Sequence, residues 1–448
     1  MIHRCWEVWP GMNEIQEQTP GHATSPGPGD KHGVDELLDL IRRRVQEQIE
    51  VVGEIDDEQV RRKIEDEVFH YSREHHLRLE EKRQLIERVF HAMRGYDVLQ
   101  PLIDDPTITE IMVNRYDEIF IERGGRIEKT SVRFSRPENL EDTIQLIAAQ
   151  VNRVVNTSSP IVDARLKDGS RVSIVLPPVS LNGPLLTIRK FPAQSPDLAE
   201  LVAWGMLTEE AAIFLARMVA SGYNIFISGG TGAGKTTMLN ALSGCIPGDE
   251  RVITIEDSAE LRLLHLSNLV RLEARHANLE GKGEITIRQL IRASLRMRPD
   301  RIIVGEIRGS EAIDMLQAMN TGHDGSISTG HSNSVKDMFS RLETMVLSES
   351  QLPLMVIRQQ ISSALDIMIH VERLRDYSRR VVEICEVVGM RDGEIEVNPL
   401  YLFRETGQDA QGRIVGRLEH TGNRLIRRTK WLKAGGQDEA RLAHLLGA

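Results

Sequence analysis

Residues Gly229-Gly230-Thr231-Gly232-Ala233-Gly234-Lys235-Thr236 follow the apolar run Asn224-Ile225-Phe226-Ile227-Ser228 and lead into a helical stretch over 236–242. Their spacing fits G-x-x-x-x-G-K-[ST] at every defined position, between a buried strand and a helix start. Glycines there let the backbone turn tightly enough for successive N–H groups to face phosphate oxygens, and the helix N-terminus adds the positive end of its dipole. Gly229, Gly230, Thr231, Gly232, Ala233, Gly234, Lys235, Thr236 and Thr237 are therefore the expected nucleotide-binding stretch. Lys235 would reach the β- and γ-phosphates, and the Thr236 hydroxyl would ligate Mg2+.

Hydrolysis of a bound triphosphate needs more: a carboxylate to orient water and hold metal, and cations for the charge developing on the transferred group. Ile302-Ile303-Val304-Gly305-Glu306 is an apolar strand ending in an acid, with Gly305 where many phosphate-loop proteins carry Asp. Glu306 is the expected water-polarising group and a second metal contact. Thr254-Ile255-Glu256-Asp257, with Glu260 three residues on, is another acidic site directly after a strand. Acids beside such a loop suit Mg2+, which takes one or two carboxylates with waters and phosphate oxygens, and Glu256 is the strongest of them. Glu260 also suits a helix N-terminus. His323 and His331 bracket a short strand whose two ends could both reach the nucleotide face. They lack the companions a zinc site needs, and spacing alone does not decide between nucleotide contact and a structural role. Arg165, Arg171 and Arg189 lie upstream. If their domain folds over the loop, their forked donors suit a triphosphate.

The elements that must carry these groups alternate. Short β-branched runs at 251–255, 301–304 and 326–329 are separated by helical stretches at 286–297 and 310–320. Strand, helix and strand in that order predict a parallel sheet covered on both faces, with ligands at the carboxyl ends of its strands. Thr208 is a helix N-cap with Glu209 and Glu210 in the first turn. Upstream, strands at 108–114, 118–122, 127–134, 162–166, 171–176 and 185–190 surround one helix bearing Leu140, Ile144, Ile147 and Val151, an α+β pattern. Gly124-Gly125 marks a hairpin turn between two of these strands. Residues 34–93 have helical periodicity, with Leu37, Leu38, Ile41, Val45 and Ile49 on one face, and predict a small bundle. After the loop domain come a helix near 354–364 and strands at 367–371, 381–388 and 395–397.

The fold class expected is thus α/β, a P-loop domain with a parallel sheet, preceded by an α+β domain and a helical bundle. Its divisions fall at a disordered tail 1–33, bundle 34–98, α+β domain 99–191, linker 192–200, P-loop domain 201–403 and extension 404–448. The tail is rich in Pro and Gly, with Trp6 and Trp9 as oddities.

At 448 residues the chain is long enough for about three cores. A net charge of -10 argues against a general grip on nucleic acid, which requires a basic surface. Cys5, Cys245 and Cys385 lie far apart and form no metal-ligand spacing, as suits a reducing cytosol. No apolar run is long enough to span a membrane, and no signal-peptide pattern is present. A GTPase is disfavoured because no Asn-Lys-x-Asp element appears in the chain.

The run Arg296-Met297-Arg298-Pro299-Asp300 through Glu306-Ile307-Arg308-Gly309, followed by Thr321-Gly322-His323 and Thr329-Gly330-His331-Ser332-Asn333-Ser334, closely resembles the secretion ATPases of type II/IV systems. Within them it looks most like the CpaF-type motor of Tad (Flp) pilus assembly. Ile111-Met112-Val113-Asn114, Asp168-Gly169-Ser170-Arg171-Val172 and Leu186-Thr187-Ile188-Arg189-Lys190-Phe191 match as well, so the likeness covers roughly residues 95–390. The resemblance implies that the P-loop domain is RecA-like, with a Walker A box at 229–236, an Asp box at 256–260, a Walker B box at 302–306 and a His box at 323–331. Gly330 stands where an apolar residue is expected before the second histidine. The resemblance further implies ATP and Mg2+ as cofactors, a homo-oligomer that is a hexameric ring, and amino-terminal-domain arginines on phosphate. It also implies inner-membrane platform proteins as partners and a cytoplasmic location, peripheral at that membrane. No direct nucleic-acid partner is expected. A conjugation or type IV secretion ATPase shares the same boxes, and a nucleotide switch with little turnover is the reading from another class.

Overall fold

The computed structural model describes residues 31–52, 55–151, 153–166, 168–190, 196–275, 277 and 282–435. Trp6, Trp9, Cys5 and most of the expected tail, the start of the expected linker up to residue 195 and residues 436–448 lie outside the described residues. Contacts divide the chain into two compact units. One is formed within the residues up to Asp104 together with Val132–Thr143, the other by Asp105–Ser131 with the chain from Ile144 onward.

The first unit is helical: α1 (Lys31–Val52), α2 (Asp57–Glu74), α3 (Leu79–Arg94) and the short α4 (Gln100–Asp104). Asp56 and Gln59 form a reciprocal capping box that starts α2. Leu38, Ile41 and Val45 of α1 meet Val60, Ile64 and Val68 of α2 and Leu85, Ile86 and Val89 of α3. Apolar residues three and four apart share one helix face, so three amphipathic stripes close on one another as a bundle.

The second unit holds two sheets. β1 (Ile108–Arg115), β2 (Glu118–Arg123), β3 (Arg126–Lys129), β4 (Ile161–Arg165), β5 (Arg171–Val175) and β6 (Leu185–Arg189) form an antiparallel sheet in the order β3-β2-β1-β6-β5-β4. Gly124 and Gly125 both take positive φ, 57° and 79°, and supply the tight turn between β2 and β3. Helix α5 (Pro137–Gln150), whose first half to Thr143 belongs to the first unit and whose remainder belongs to the second, carries the buried Leu140, Ile144 and Ile147.

The larger sheet follows α6 (Leu198–Ala203) and α7 (Glu209–Ala220). Its parallel strands are β7 (Ile225–Gly229), β8 (Arg251–Glu256), β9 (Asn268–Glu273), β10 (Arg301–Ile307), β11 (Ile327–His331) and β12 (Ile367–Arg373). Between them run α8 (Lys235–Ser243), α9 (Ile287–Ser294), α10 (Glu311–Asn320), α11 (Val335–Leu347) and α12 (Leu354–Ala364). β13 (Arg379–Arg391), β14 (Glu394–Gln408) and β15 (Ile414–His420) add an antiparallel meander, and α13 (Thr429–Lys433) follows. The order is β15-β14-β13-β12-β7-β11-β10-β8-β9.

Side chains of a strand alternate between faces, so a strand covered on both sides reads as an unbroken apolar run. Ile225 and Ile227 belong to the core beneath α7 and α8, whereas Phe226 belongs to the core with α10, α11 and α12. The expected fold class is the one found. β9 has no counterpart in the sequence reading, because on an edge strand alternate positions stay exposed and the apolar signal is thin. Asp197 caps α6, so the chain is helical before the expected linker ends at 200. β14 runs unbroken through the expected boundary at 403 and 404.

Candidate functional site

β7 is buried at every position and delivers the glycine-rich loop to the carboxyl edge of the sheet. At Gly229 the strand passes so close to β12 that a Cβ would sit 2.2 Å from Val371 O, which leaves room for glycine alone. Gly234 opens α8 from the left-handed region, at φ 100°. Lys235 comes next and is buried. Its Nζ donates to Gly229 O at 3.2 Å and Gly230 O at 3.0 Å, and lies 3.1 Å from His331 Nδ1. Burial pulls the ammonium down to about 8, against the opposing charge of Glu306. Thr236 and Thr237 stand half-buried behind it, and Thr231 and Gly232 are exposed at the loop's tip.

His331 ends β11 level with Gly229. With an ammonium donating to Nδ1, the neutral ring carries its proton on Nε2, 2.9 Å from Glu306 Oε1. That N–H is not aligned on the carboxylate, so the approach is electrostatic, and the buried Oε1 keeps no aligned donor among the described residues. Burial, and then Lys235, hold His331 below its ordinary value. The other carboxylate oxygen, Oε2, accepts from Arg308 Nη2 at 2.8 Å, and Arg308 lies 3.9 Å from Asp257. A continuous line of contacts therefore joins the loop lysine to the acid near the end of β10. Gly330, the departure ahead of His331, is explained by space: a methyl group there would come within 3.0 Å of Met338 Sδ and Phe226 Cε1.

Gly305 has a related cause. A methyl group on it would lie 3.1 Å from Glu256 Cγ on the neighbouring β8, so the Glu256 side chain packs where a residue at 305 would project. Glu256 is buried, with Oε2 accepting from Glu260 N at 2.7 Å and Leu261 N at 2.9 Å. Its Oε1 is buried and has no hydrogen-bond partner among the described residues. Burial raises this carboxyl to about 7, although the two backbone donors oppose the shift.

Arg165, Arg171 and Arg189 form a row across β4, β5 and β6, since Arg165 faces Arg171 and Arg171 faces Arg189 in the register. Arg165 donates to Ala259 O and pairs with Glu273 at 3.2 Å, which ties this end of the smaller sheet to the loop after β8. Burial raises the Glu260 carboxyl, with Arg189 and Arg171 opposing the shift, and Arg189 also adds to the depression of Lys235. The field of these arginines reaches both the acidic loop and the lysine. No hydrogen bond or ion pair occupies the Arg171 and Arg189 guanidinium groups among the described residues.

His323 is not brought to this place. Parallel strands put all their carboxyl ends on one edge, and His323 precedes β11 at the other. There Gly325 N and Ser326 N donate to Asn224 Oδ1 at the start of β7, and His323 Nδ1 lies 3.1 Å from Ala318 O. The expectation that both ends of the strand reach the nucleotide is corrected for this chain's own loop. Sequence reasoning also passed over Arg308, Arg373 and Arg379. Arg308 was legible as a cation two residues past an acid; the other two were not, since only the fold brings them near residue 232.

Among the described residues no three His, Cys, Asp or Glu side chains form a self-sufficient metal cage. Glu256 Oε1 and Glu306 Oε1 are buried with no hydrogen-bond partner among the described residues, and carboxylate oxygens left open in this way suit a cation that draws its other ligands from water and phosphate.

The sequence profile of the type II/IV secretion system protein family matches residues 93–419. The chain belongs to this family. As a secretion ATPase it binds nucleotide and hydrolyses ATP. Conjugal transfer protein TrbB of Rhizobium radiobacter is 33% identical over 304 residues, covering 67% of this secretion ATPase and 90% of the relative. Type IV secretion system protein VirB11 of Brucella suis biovar 1 (strain 1330) is 36% identical over 300 residues, covering 61% and 83%. The crystal structure of the VirB11 ATPase from Brucella suis in complex with sulphate is similar at 33% identity, covering 65% and 97% of the two chains, with a TM-score of 0.36.

Proposed function

We propose that Lys235, His331 and Glu306 form the hydrolytic centre for Mg2+-bound ATP, and that turnover drives domain motion in a ring of identical chains. The observation that carries this reading is the line of contacts from Lys235 through His331 to Glu306. Lys235 holds two loop carbonyls and His331, contacts that phosphate oxygens would replace. Glu306 then orients water and accepts its proton, while Arg171 and Arg189 supply charge for the phosphoryl group. Thr236, Glu256 and Glu306 are the residues that would hold Mg2+, which supplies charge neutralisation on the phosphates when bound.

The work done is pilus assembly of the Tad/Flp type or protein secretion, from the cytoplasmic face of the inner membrane and through platform proteins there. No helix of the described residues is long and apolar enough to cross a membrane, so attachment would come through partners. The helical unit ahead of residue 93, where the family match begins, supports the pilus-type reading. A conjugation or type IV secretion role is the second reading, favoured by what the TrbB and VirB11 relatives are called. Genes flanking this one separate the two.

Phosphate release measured against protein concentration tests the ring. Specific activity should rise steeply as the chain assembles, with oligomer size followed by light scattering. Constant specific activity from monomer upward would overturn a site completed by assembly.

A further inference from the structure

Two arginines lie against the phosphate loop on the side away from Glu306, and the hydrolytic centre makes no use of them. β7 has β11 on one side and β12 on the other. β12 ends at Arg373 and β13 begins at Arg379, and the turn between them is closed by Leu374 N donating to Ser378 O at 2.8 Å. This turn sets both guanidinium groups beside Gly232. Arg379 Nε donates to Gly232 O at 2.9 Å, and a methyl group on Gly232 would lie 3.9 Å from Arg373 Nη1.

The same side chains reach the turn between β2 and β3. Arg373 Nη2 donates to Gly125 O, and Arg379 Nη2 lies 3.8 Å from Glu122 Oε1. The Tyr377 ring lies under both Arg373, at 5.0 Å, and Arg126, at 5.9 Å. Arg373 Nε is buried without an acceptor among the described residues, so that side chain is held by its surroundings rather than by solvent.

A trans peptide points its C=O and N–H in opposite directions, so a donor gripping Gly232 O from outside sets the plane of the whole 232–233 peptide. Gly232, at φ 70°, has no side chain and would otherwise let that plane turn at little cost. A guanidinium fork can hold the carbonyl and face a carboxylate at once, which a lysine ammonium on a flexible stem does less well.

We propose that Arg379, backed by Arg373, is a positioning residue for the phosphate loop, fixing the Gly232 peptide for nucleotide and tying it to the β2–β3 turn of the smaller sheet. The inference rests on the reading of residues 229–236 as the nucleotide loop. It adds a mechanical route by which loop occupancy is felt in that sheet.

The test uses the full chain, with fluorescent ADP binding, steady-state ATP hydrolysis and hydrogen exchange, on wild type, Lys235→Ala, Arg379→Ala and Arg379→Lys. Arg379→Ala should weaken ADP binding about tenfold, the worth of one charge-assisted hydrogen bond. Its kcat at saturating ATP should stay within about threefold of wild type, because the acids lie on the other side of the loop. Saturating ADP should protect the 118–129 amides in wild type and not in Arg379→Ala, while α8 is protected in both. Arg379→Lys should recover only part of the affinity. Wild-type ADP affinity in a folded Arg379→Ala, or no ADP-dependent protection of 118–129 in wild type, overturns the proposal. Should Arg379→Ala fail to fold, wild-type affinity and protection in Arg379→Lys overturn it instead. Lys235→Ala binding ADP as tightly as wild type would sink the nucleotide-loop reading itself; a defective Lys235→Ala beside a normal Arg379→Ala sinks only this inference.

Discussion

Lys235 Nζ and His331 Nδ1 lie 3.1 Å apart, an ammonium and an imidazole sharing one contact that survives only while the ring is neutral. Protonating His331 would set two cations against each other at the mouth of the loop. Since burial holds the ring below its ordinary 6.5, that protonation falls below this pH. The acid limb of kcat/KM should therefore lie below 6.5 in wild type and shift or vanish in His331→Asn, as read from a pH profile of ATP hydrolysis.

Glu306→Gln keeps the size of the side chain and its contact with Arg308 but cannot take a proton from water. Turnover should fall by about 10² to 10⁴, the range for a removed general base, while ADP affinity stays near wild type. Stopped phosphate release with retained nucleotide binding is the expected pair of results; wild-type turnover removes Glu306 from the chemistry.

Glu256 links the site to stability. Its carboxyl is raised to about 7 from 4.5, so the folded state holds this proton more tightly than the unfolded chain does. The resulting stability is fully present below pH 4.5 and is lost as pH rises through 7, on the order of 3 kcal/mol. Thermal melts from pH 5 to 8 should show Glu256→Gln flattening this decline and melting above wild type at pH 8.

Two glycines are expected to resist the smallest enlargement. Gly305→Ala meets Glu256 Cγ at 3.1 Å, and Gly330→Ala meets Met338 and Phe226 at 3.0 Å. Overpacking of this kind costs about 1–3 kcal/mol in denaturant unfolding. Only Gly305→Ala should also reduce ATP turnover out of proportion, because it displaces an acid rather than a core side chain.

For the arginine row, Arg171→Ala and Arg189→Ala should each lower kcat in the assembled protein by about 10³ or more, a transition-state contact's worth. Arg165→Ala should act mainly on stability, since its guanidinium is already engaged by Ala259 O and Glu273. Normal hydrolysis by both Arg171→Ala and Arg189→Ala would exclude phosphate contact by this row.

The sequence by itself determined the glycine-rich loop between a buried strand and a helix, the acid near the end of β10 and the parallel sheet. Those features are local: an apolar run of one strand's length, a glycine spacing that only one backbone path satisfies, and an acid at the end of that strand are all written within about ten residues. Tertiary structure alone decided the rest. Which of His323 and His331 meets the loop depends on strand direction, because parallel strands share one carboxyl edge. The reasons for Gly305 and Gly330 lie in Glu256, Met338 and Phe226, side chains that pack from other elements. Arg373 and Arg379 reach Gly232 because β12 pairs beside β7, and pairing between strands more than a hundred residues apart leaves no local mark in the chain.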